Sequence, residues 1–160
     1  MLPEILTRAL TGWAGFYGDH QAVSVTVRYL HLAALLVGGG TALATDRQLL
    51  ATRWLPEPQR AQALATLDAS HRVVVPALAV VVLTGLLMTA SDTGTFFASK
   101  LYWSKLTLVG LLLANGAGLL AAERRAQGGR GWTWLHVTSA ASFALWLLIL
   151  YLGAWLTVAA

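Results

Sequence analysis

The sequence predicts an all-α integral membrane protein, a bundle of four transmembrane helices accompanied by short interfacial helices. Hydrophobic residues make up 57% of the 160 residues and charged residues 11%. Four apolar runs, at about 23–45, 73–90, 101–122 and 132–158, each approach the ~20 residues that cross a hydrocarbon core of ~30 Å. The chain has no cysteine, which excludes disulfides, iron–sulfur clusters and thiolate metal sites. Because the four apolar runs predict the spans of one bundle, we treat residues 1–160 as a single transmembrane domain.

Two shorter segments have the pattern of helices that lie on the membrane surface. In segment 2–13, apolar residues recur at helical spacing around Glu4 and Arg8, which predicts an interfacial helix and not a cleaved signal peptide. In segment 58–67, Pro58 suits a first helical turn, and Leu64 and Leu67 lie three residues apart. This segment predicts a second interfacial helix.

The basic residues predict the orientation of the chain. The loop between the first two transmembrane helices and the loop between the last two carry most of the arginines: Arg47, Arg53, Arg60 and Arg72 in one, and Arg124, Arg125 and Arg130 in the other. By the positive-inside rule both loops are cytoplasmic and both termini lie outside a bacterial inner membrane. The formal net charge of +4 is then explained by the positive-inside pattern of the loops. We therefore expect membrane lipid, and not nucleic acid, as the partner of these basic residues.

Three histidines, His31, His71 and His136, lie in or at the rim of three different apolar runs. An imidazole inside a bilayer is costly unless it is paired, and histidines on separate helices can converge on a metal or a haem iron. The predicted topology places His71 and His136 together at the cytoplasmic rim. His31 lies about 22 Å from that end, at ~1.5 Å per residue. The depths predict two separate sites, with His71 and His136 as an axial pair for one haem.

The second predicted site lies in the outer half of the bundle, around His31. Met88 is a candidate second axial ligand, and Arg28 and Lys105 are candidates to hold the haem propionates. Simpler interpretations stay open for each residue. His31 would bond a carbonyl or a threonine, His71 would sit solvated among head groups, Met88 would pack, and Arg28 and Lys105 would snorkel to the interface.

Four further features concern packing and proton transfer. The triplet Gly38 to Gly40 predicts close approach of another helix or of a cofactor plane. Pro76 predicts a kink in the second transmembrane helix. Asn115 predicts an interhelical hydrogen bond. We expect the seven acidic residues to lie outside the helices or at their ends, which argues against a chain of proton-carrying carboxylates.

Short motifs carry a family resemblance. The segments 29–40 (YLHLAALLVGGG), 46–50 (DRQLL), 83–87 (LTGLL) and 102–106 (YWSKL) resemble small bacterial membrane proteins related to the copper-resistance D family. The Trp103 to Lys105 start of the third helix is also similar to membrane-bound protoporphyrinogen oxidase. The resemblance is greatest to uncharacterised four-helix relatives of these proteins. It implies a four-helix fold and a haem b bound through His31.

The leading hypothesis is a b-type cytochrome that carries one or two haems b and passes electrons within the membrane. Quinone or a redox protein would be its partner, and His31, His71 and His136 its metal ligands. The alternatives are a transporter of copper or another small solute, a haem-dependent enzyme of porphyrin oxidation, and a structural subunit. Small residues on the first and third transmembrane helices suggest a homodimer.

Overall fold

The computed structural model describes residues 4–54 and 56–159, which fold into helices almost throughout. Six helices follow one another along the described chain: α1 (Glu4–Asp19), α2 (Gln21–Ala51), α3 (Glu57–Ser91), α4 (Thr93–Ala98), α5 (Lys100–Gln127) and α6 (Trp132–Ala159). Within α2, residues Leu35–Gly39 form a π-helical segment, and a 3₁₀ turn at Thr52–Trp54 follows α2.

Four of these helices, α2, α3, α5 and α6, are long and apolar enough to cross a membrane. The predicted all-α membrane bundle with four spans is therefore confirmed. The observed helices extend past the predicted apolar runs, and α2 and α5 do so by five or six residues at their C-terminal ends. A helix continues for as long as its backbone hydrogen bonds are made, so the end of an apolar run does not mark the end of a helix.

The first predicted interfacial segment forms part of α1, although residues 2 and 3 lie outside the described residues. The helix continues to Asp19 and packs against the C-terminal half of α3. Trp13 Nε1 donates a hydrogen bond of 2.8 Å to the carbonyl oxygen of Leu87, and the Tyr17 side chain is buried. These contacts attach α1 to the bundle at the end where α3 terminates.

The second predicted interfacial helix, at 58–67, is wrong as a separate element. The chain runs from Glu57 to Ser91 as one helix of 35 residues, with Pro58 in its first turn and Pro76 in its interior. Leu64 and Leu67 face the protein core instead of a membrane surface. These leucines are buried against residues of the other three long helices. Packing of this kind stabilises a helix, so the segment 58–67 continues without a break into the apolar run.

The described helices leave one side of the bundle open. Helix α2 packs against α3 and α6, and α5 packs along α6, whereas α3 and α5 make few contacts with each other. Two apolar clusters fill the interior. The inner cluster lies towards the arginine-rich loops and contains Leu49, Leu64, Leu67, Leu119, Ala122, Ala126 and Leu135. The outer cluster lies further from those loops and contains Ala42, Leu112, Trp146 and Ile149.

Small and polar residues set the distances between these helices. A methyl group built at Gly38 would lie 2.5 Å from Ala77 Cβ on α3, and one built at Gly39 would lie 3.1 Å from the Trp146 ring on α6. The close approach of helices predicted for the glycine triplet is therefore confirmed at these two positions. The interhelical bond predicted for Asn115 is confirmed as well, because its Nδ2 donates to the Thr138 carbonyl at 2.9 Å.

Candidate ligand-binding site

Buried and partly buried polar side chains lie between the inner and outer clusters on α2, α3 and α6, and beside Ala122 of the inner cluster on α5. We call this set of side chains the polar layer, and all four long helices contribute to it: Thr45 and Asp46 from α2, Ser70 and His71 from α3, Glu123 from α5, and Ser139 and Ser142 from α6. Along α2, for example, Asp46 lies between Ala42 of the outer cluster and Leu49 of the inner cluster. Polar groups at this depth in a membrane protein mark a candidate functional site.

Asp46 is the most buried acidic residue of the polar layer, with 2% of its surface exposed. The hydroxyl groups of Ser139 and Ser142 face its carboxyl group from α6. Within the described residues, neither Asp46 Oδ2 nor Ser139 Oγ makes a hydrogen bond of good geometry, although both serine hydroxyls lie close enough to the carboxyl group to interact with it. A buried polar atom without a partner is costly and needs an explanation, and one explanation is a ligand.

His71 and Glu123 form the second part of the polar layer. His71 Nδ1 lies 3.3 Å from Glu123 Oε2, and Glu123 is 4% exposed. An ionised carboxylate accepts but does not donate, so with Glu123 ionised the proton between the two groups lies on His71 Nδ1. In the neutral imidazole this leaves Nε2 as an acceptor. Histidines that bind metals or polar ligands are commonly oriented by a carboxylate in this way.

The expectation that acidic residues lie outside helices or at their ends is wrong for Asp46 and Glu123. Both are inside helices and both are buried. The physical reason is the extension of α2 and α5 beyond their apolar runs, which brings polar residues of the last turns into the packed interior. The serines at 139 and 142, three residues apart between Leu135 and Trp146, are a signal of this polar face in the sequence.

A groove of about 660 Å³ opens on the side of the bundle where α3 and α5 separate. Asp46 of α2 and Ser142 and Trp146 of α6 lie at its base, and His71 lines it from α3. Its walls are apolar and follow α3 as far as Leu86. Because this side of a membrane-spanning bundle faces lipid, the groove leads from the hydrocarbon core to the polar layer. Its volume falls within the range of ~300–1,000 Å³ typical of small-molecule sites.

His136 makes different contacts from His71. Its Nε2 lies 3.2 Å from Thr52 Oγ1, whose hydroxyl donates to the Leu49 carbonyl at 2.6 Å. Since that hydroxyl has one proton, His136 Nε2 must be the donor to it. The predicted axial pair of His71 and His136 stays a prediction, and in this structure Nε2 of His136 bonds Thr52.

His31 lies in the outer half of the bundle, between α2 and α3. Its Nδ1 is 2.9 Å from Thr84 Oγ1, and the Thr84 hydroxyl donates to the Val80 carbonyl at 2.6 Å. Nδ1 is therefore the donor to Thr84, and the ring also interacts with the Val81 backbone. The interpretation of His31 as a residue bonded to threonine is confirmed.

The other residues predicted for the outer site are placed as follows. Thr84 and Gly85 of α3 lie beside the His31 ring, and the predicted role of Met88 as a second axial ligand stays a prediction. Arg28 is exposed, whereas Lys105 lies partly buried beside Gly153 of α6. Across residues 4–54 and 56–159, no group of three or more His, Cys, Asp or Glu side chains is arranged to hold a metal ion. A metal site that joins His31, His71 and His136 is thus not present in the described chain.

These features define an integral, multi-pass membrane protein whose lipid-facing groove ends at a buried polar layer. Comparisons with known proteins found no matching family model, no similar curated protein and no similar solved structure. The resemblance to copper-resistance D proteins and to membrane-bound protoporphyrinogen oxidase therefore stays a prediction. The functional argument rests on the geometry of the groove and the polar layer.

Proposed function

We propose that this protein is a membrane protein that binds an isoprenoid quinone or quinol in the groove between α3 and α5. One observation carries the proposal: a buried carboxyl group, with an oxygen that has no partner in the described residues, lies at the base of an apolar groove. A ligand that enters from lipid and bonds this oxygen needs a polar head and a long apolar tail. Quinones and quinols have both.

The charges of the polar layer narrow the class of head group. Asp46 and Glu123 disfavour fatty acids and anionic phospholipids, because a second anion at this depth would be repelled. A neutral ring that carries oxygen atoms avoids this repulsion. Asp46 Oδ2 and, in the neutral tautomer, His71 Nε2 are hydrogen-bond acceptors, and a quinol supplies two hydroxyl donors. We therefore expect the reduced form to bind more tightly than the oxidised form.

A b-type haem is the second candidate for the same groove, and the His71–Glu123 pair favours it. His71 Nε2 is free and its orientation is held by a carboxylate, as is usual for a metal-binding histidine. Haem would supply one-electron transfer, and this chain would supply the axial nitrogen and an apolar enclosure. His71 would be the haem's histidine ligand here, because His136 Nε2 bonds Thr52. Haem and quinone would occupy the same space, so the two candidates exclude each other.

The experiment that tests the proposal uses the full chain in lipid nanodiscs. Trp146 lies at the base of the groove, so a bound quinone will quench its fluorescence. We expect saturable quenching by decyl-ubiquinone, and displacement of that quinone by a lower concentration of decyl-ubiquinol. The saturable part should disappear in Asp46→Leu and Trp146→Phe. It should persist in Asp68→Asn, which changes an exposed carboxyl group near the same end of the bundle.

Absorbance of the same preparations separates the two candidates. A Soret band that is lost in His71→Ala but kept in His136→Ala, with no saturable quinone binding, would replace the quinone proposal by the haem proposal. Quenching that rises linearly and equally in Asp46→Leu would show partition into lipid and would overturn quinone binding at this site.

We also propose an orientation and a location. The arginines of the loops that follow α2 and α5 support an inner bacterial membrane with this end in the cytoplasm and both termini outside. The polar layer then lies in the cytoplasmic half of the membrane, one helical turn beyond the inner cluster.

A further inference from the structure

Glu123 contacts the His71 ring from outside the groove. His71 lines the groove and Glu123 does not, yet Glu123 Oε2 lies 3.3 Å from His71 Nδ1. Glu123 is 4% exposed, so water screens its charge little. The Nδ1 edge of the ring is thus turned towards the acid, and Nε2 is the ring nitrogen left for a ligand in the groove.

This contact decides whether His71 offers the groove a donor or an acceptor. A neutral imidazole has one N–H group and one acceptor nitrogen, and the partner of one nitrogen decides which of the two carries the proton. An ionised carboxylate beside Nδ1 holds the proton there, because it attracts the positive end of the N–H dipole. Nε2 then accepts. Without the carboxylate the proton can move to Nε2, which then donates.

A quinol and a quinone differ in the property that this nitrogen distinguishes. The hydroxyl group of a quinol donates a hydrogen bond, whereas the carbonyl oxygen of a quinone can only accept one. An accepting Nε2 bonds the hydroxyl group and leaves a carbonyl oxygen unpaired. Sites that bond a hydroxyl group discriminate against an analogue without it, because the buried polar group of the site is then left without a partner.

We propose that Glu123 makes the groove selective for the quinol form by holding the proton of His71 on Nδ1. This inference rests on the proposed function. Glu123 is a positioning residue, since it contacts His71 and not the ligand. A residue with this role changes the ratio of the quinol and quinone affinities, whereas a residue that only supports the fold changes both affinities together.

The two affinities are measured in lipid nanodiscs at one fixed pH, from quenching of Trp146 by decyl-ubiquinone and its displacement by decyl-ubiquinol. Glu123→Leu should lower the preference for quinol about threefold to tenfold, the worth of one hydrogen bond, through weaker quinol binding. Asp68→Leu, which removes an exposed carboxyl group, should leave the preference unchanged.

Two further variants connect this effect to His71. His71→Leu should remove the same part of the preference, and the double variant with Glu123→Leu should lose no more than either single variant, because both act through one nitrogen. Glu123→Gln keeps the size of the side chain and removes its charge. It should lower the preference in the same direction, which preserves the test if the leucine variant does not fold.

The ¹⁵N chemical shifts of labelled histidine report the position of the proton directly. The His71 signals are those that disappear in His71→Leu, and we expect the proton on Nδ1 in the native protein and on Nε2 or in exchange in Glu123→Leu. An unchanged preference in Glu123→Leu, an equal loss of both affinities, or a native proton on Nε2 overturns this inference and leaves quinone binding intact. If the native protein shows no saturable quenching, the proposed function fails and this inference fails with it.

Discussion

A carboxyl group inside a transmembrane bundle needs hydrogen-bond partners, because lipid tails offer none. The hydrogen bonds of Asp46 are incomplete. Its neighbours on α6 are two serines, and Oδ2 has no partner within the described residues. Residues kept at a site despite such a cost are typical of binding sites, where stability and function oppose each other. This opposition can be measured directly on Asp46.

We predict that Asp46→Leu stabilises the ligand-free protein while it abolishes quinol binding. Replacement of an incompletely paired buried acid by an apolar side chain of similar size is commonly neutral or stabilising, by up to ~1–4 kcal/mol. Thermal unfolding in detergent, without added quinone, measures the effect. Asp68→Leu is the matched control, since that carboxyl group is exposed and should change the free energy of unfolding little. A clear loss of stability in Asp46→Leu would instead assign Asp46 a structural role.

The histidines show how much of a site can be inferred from single residues. Sequence reasoning selected His31 and His71, each of which lies beside a polar side chain of another helix. It did not select their partners Thr84 and Glu123, because a partner on another helix is defined by packing and not by spacing along the chain. The separation of His31 from His71 along the bundle follows from helix order, but the different partners of His71 and His136 do not.

At the scale of elements, α2 is the helix that organises the bundle. Its π-helical segment at Leu35–Gly39 ends in two glycines that contact different neighbours, Ala77 of α3 and Trp146 of α6. These contacts place Trp146 at the base of the groove. Small residues serve this purpose in membranes because helix association there depends on close van der Waals packing.

We predict that Gly38→Ala destabilises the bundle and that Gly40→Ala does not. The methyl group at position 38 would lie 2.5 Å from Ala77 Cβ, so α2 and α3 must move apart, at a cost of about 1–3 kcal/mol. A methyl group at position 40 meets no atom within 4 Å and adds helix propensity, worth up to ~1 kcal/mol. Chemical unfolding of the two variants in mixed micelles measures the difference. Equal stabilities would show that α2 and α3 are not in close contact.

Helix α3 shows the limit of element prediction from apolar runs. The sequence indicates a short surface helix followed by a membrane span, yet the structure has one continuous helix from Glu57 to Ser91. Leu64 and Leu67 decide this, because they are buried in the inner cluster by residues of α2, α5 and α6. Leucines three residues apart fit a membrane surface and a protein interior equally well.

At the scale of the whole molecule, the bundle has an open side and two polar regions at different depths. The polar layer is acidic and lies near the arginine-rich loops, while the hydrogen-bonded pair of His31 and Thr84 lies in the other half. The apolar outer cluster lies between these two regions along α2. The groove leads from the lipid side of the bundle to the first of them.

We predict that the arginine-rich end is cytoplasmic. The chain contains no cysteine, so one introduced cysteine is the only site that a maleimide can label. Exposed Arg130 lies at the arginine-rich end of the bundle, and exposed Thr95 lies at the opposite end. A membrane-impermeant maleimide should label Thr95→Cys in intact spheroplasts and label Arg130→Cys after lysis. The reverse pattern would invert the topology and place the polar layer in the outer half of the membrane.

The sequence by itself determined the class of protein, its four spans and two of the histidines in its polar regions. Those features depend on hydrophobicity, which each residue contributes independently of its neighbours in space. The tertiary structure decided the burial of Asp46 and Glu123, the pairing of each histidine and the open side between α3 and α5. Those features depend on contacts between helices that are distant in the chain, and hydropathy along one helix carries no information about its partner.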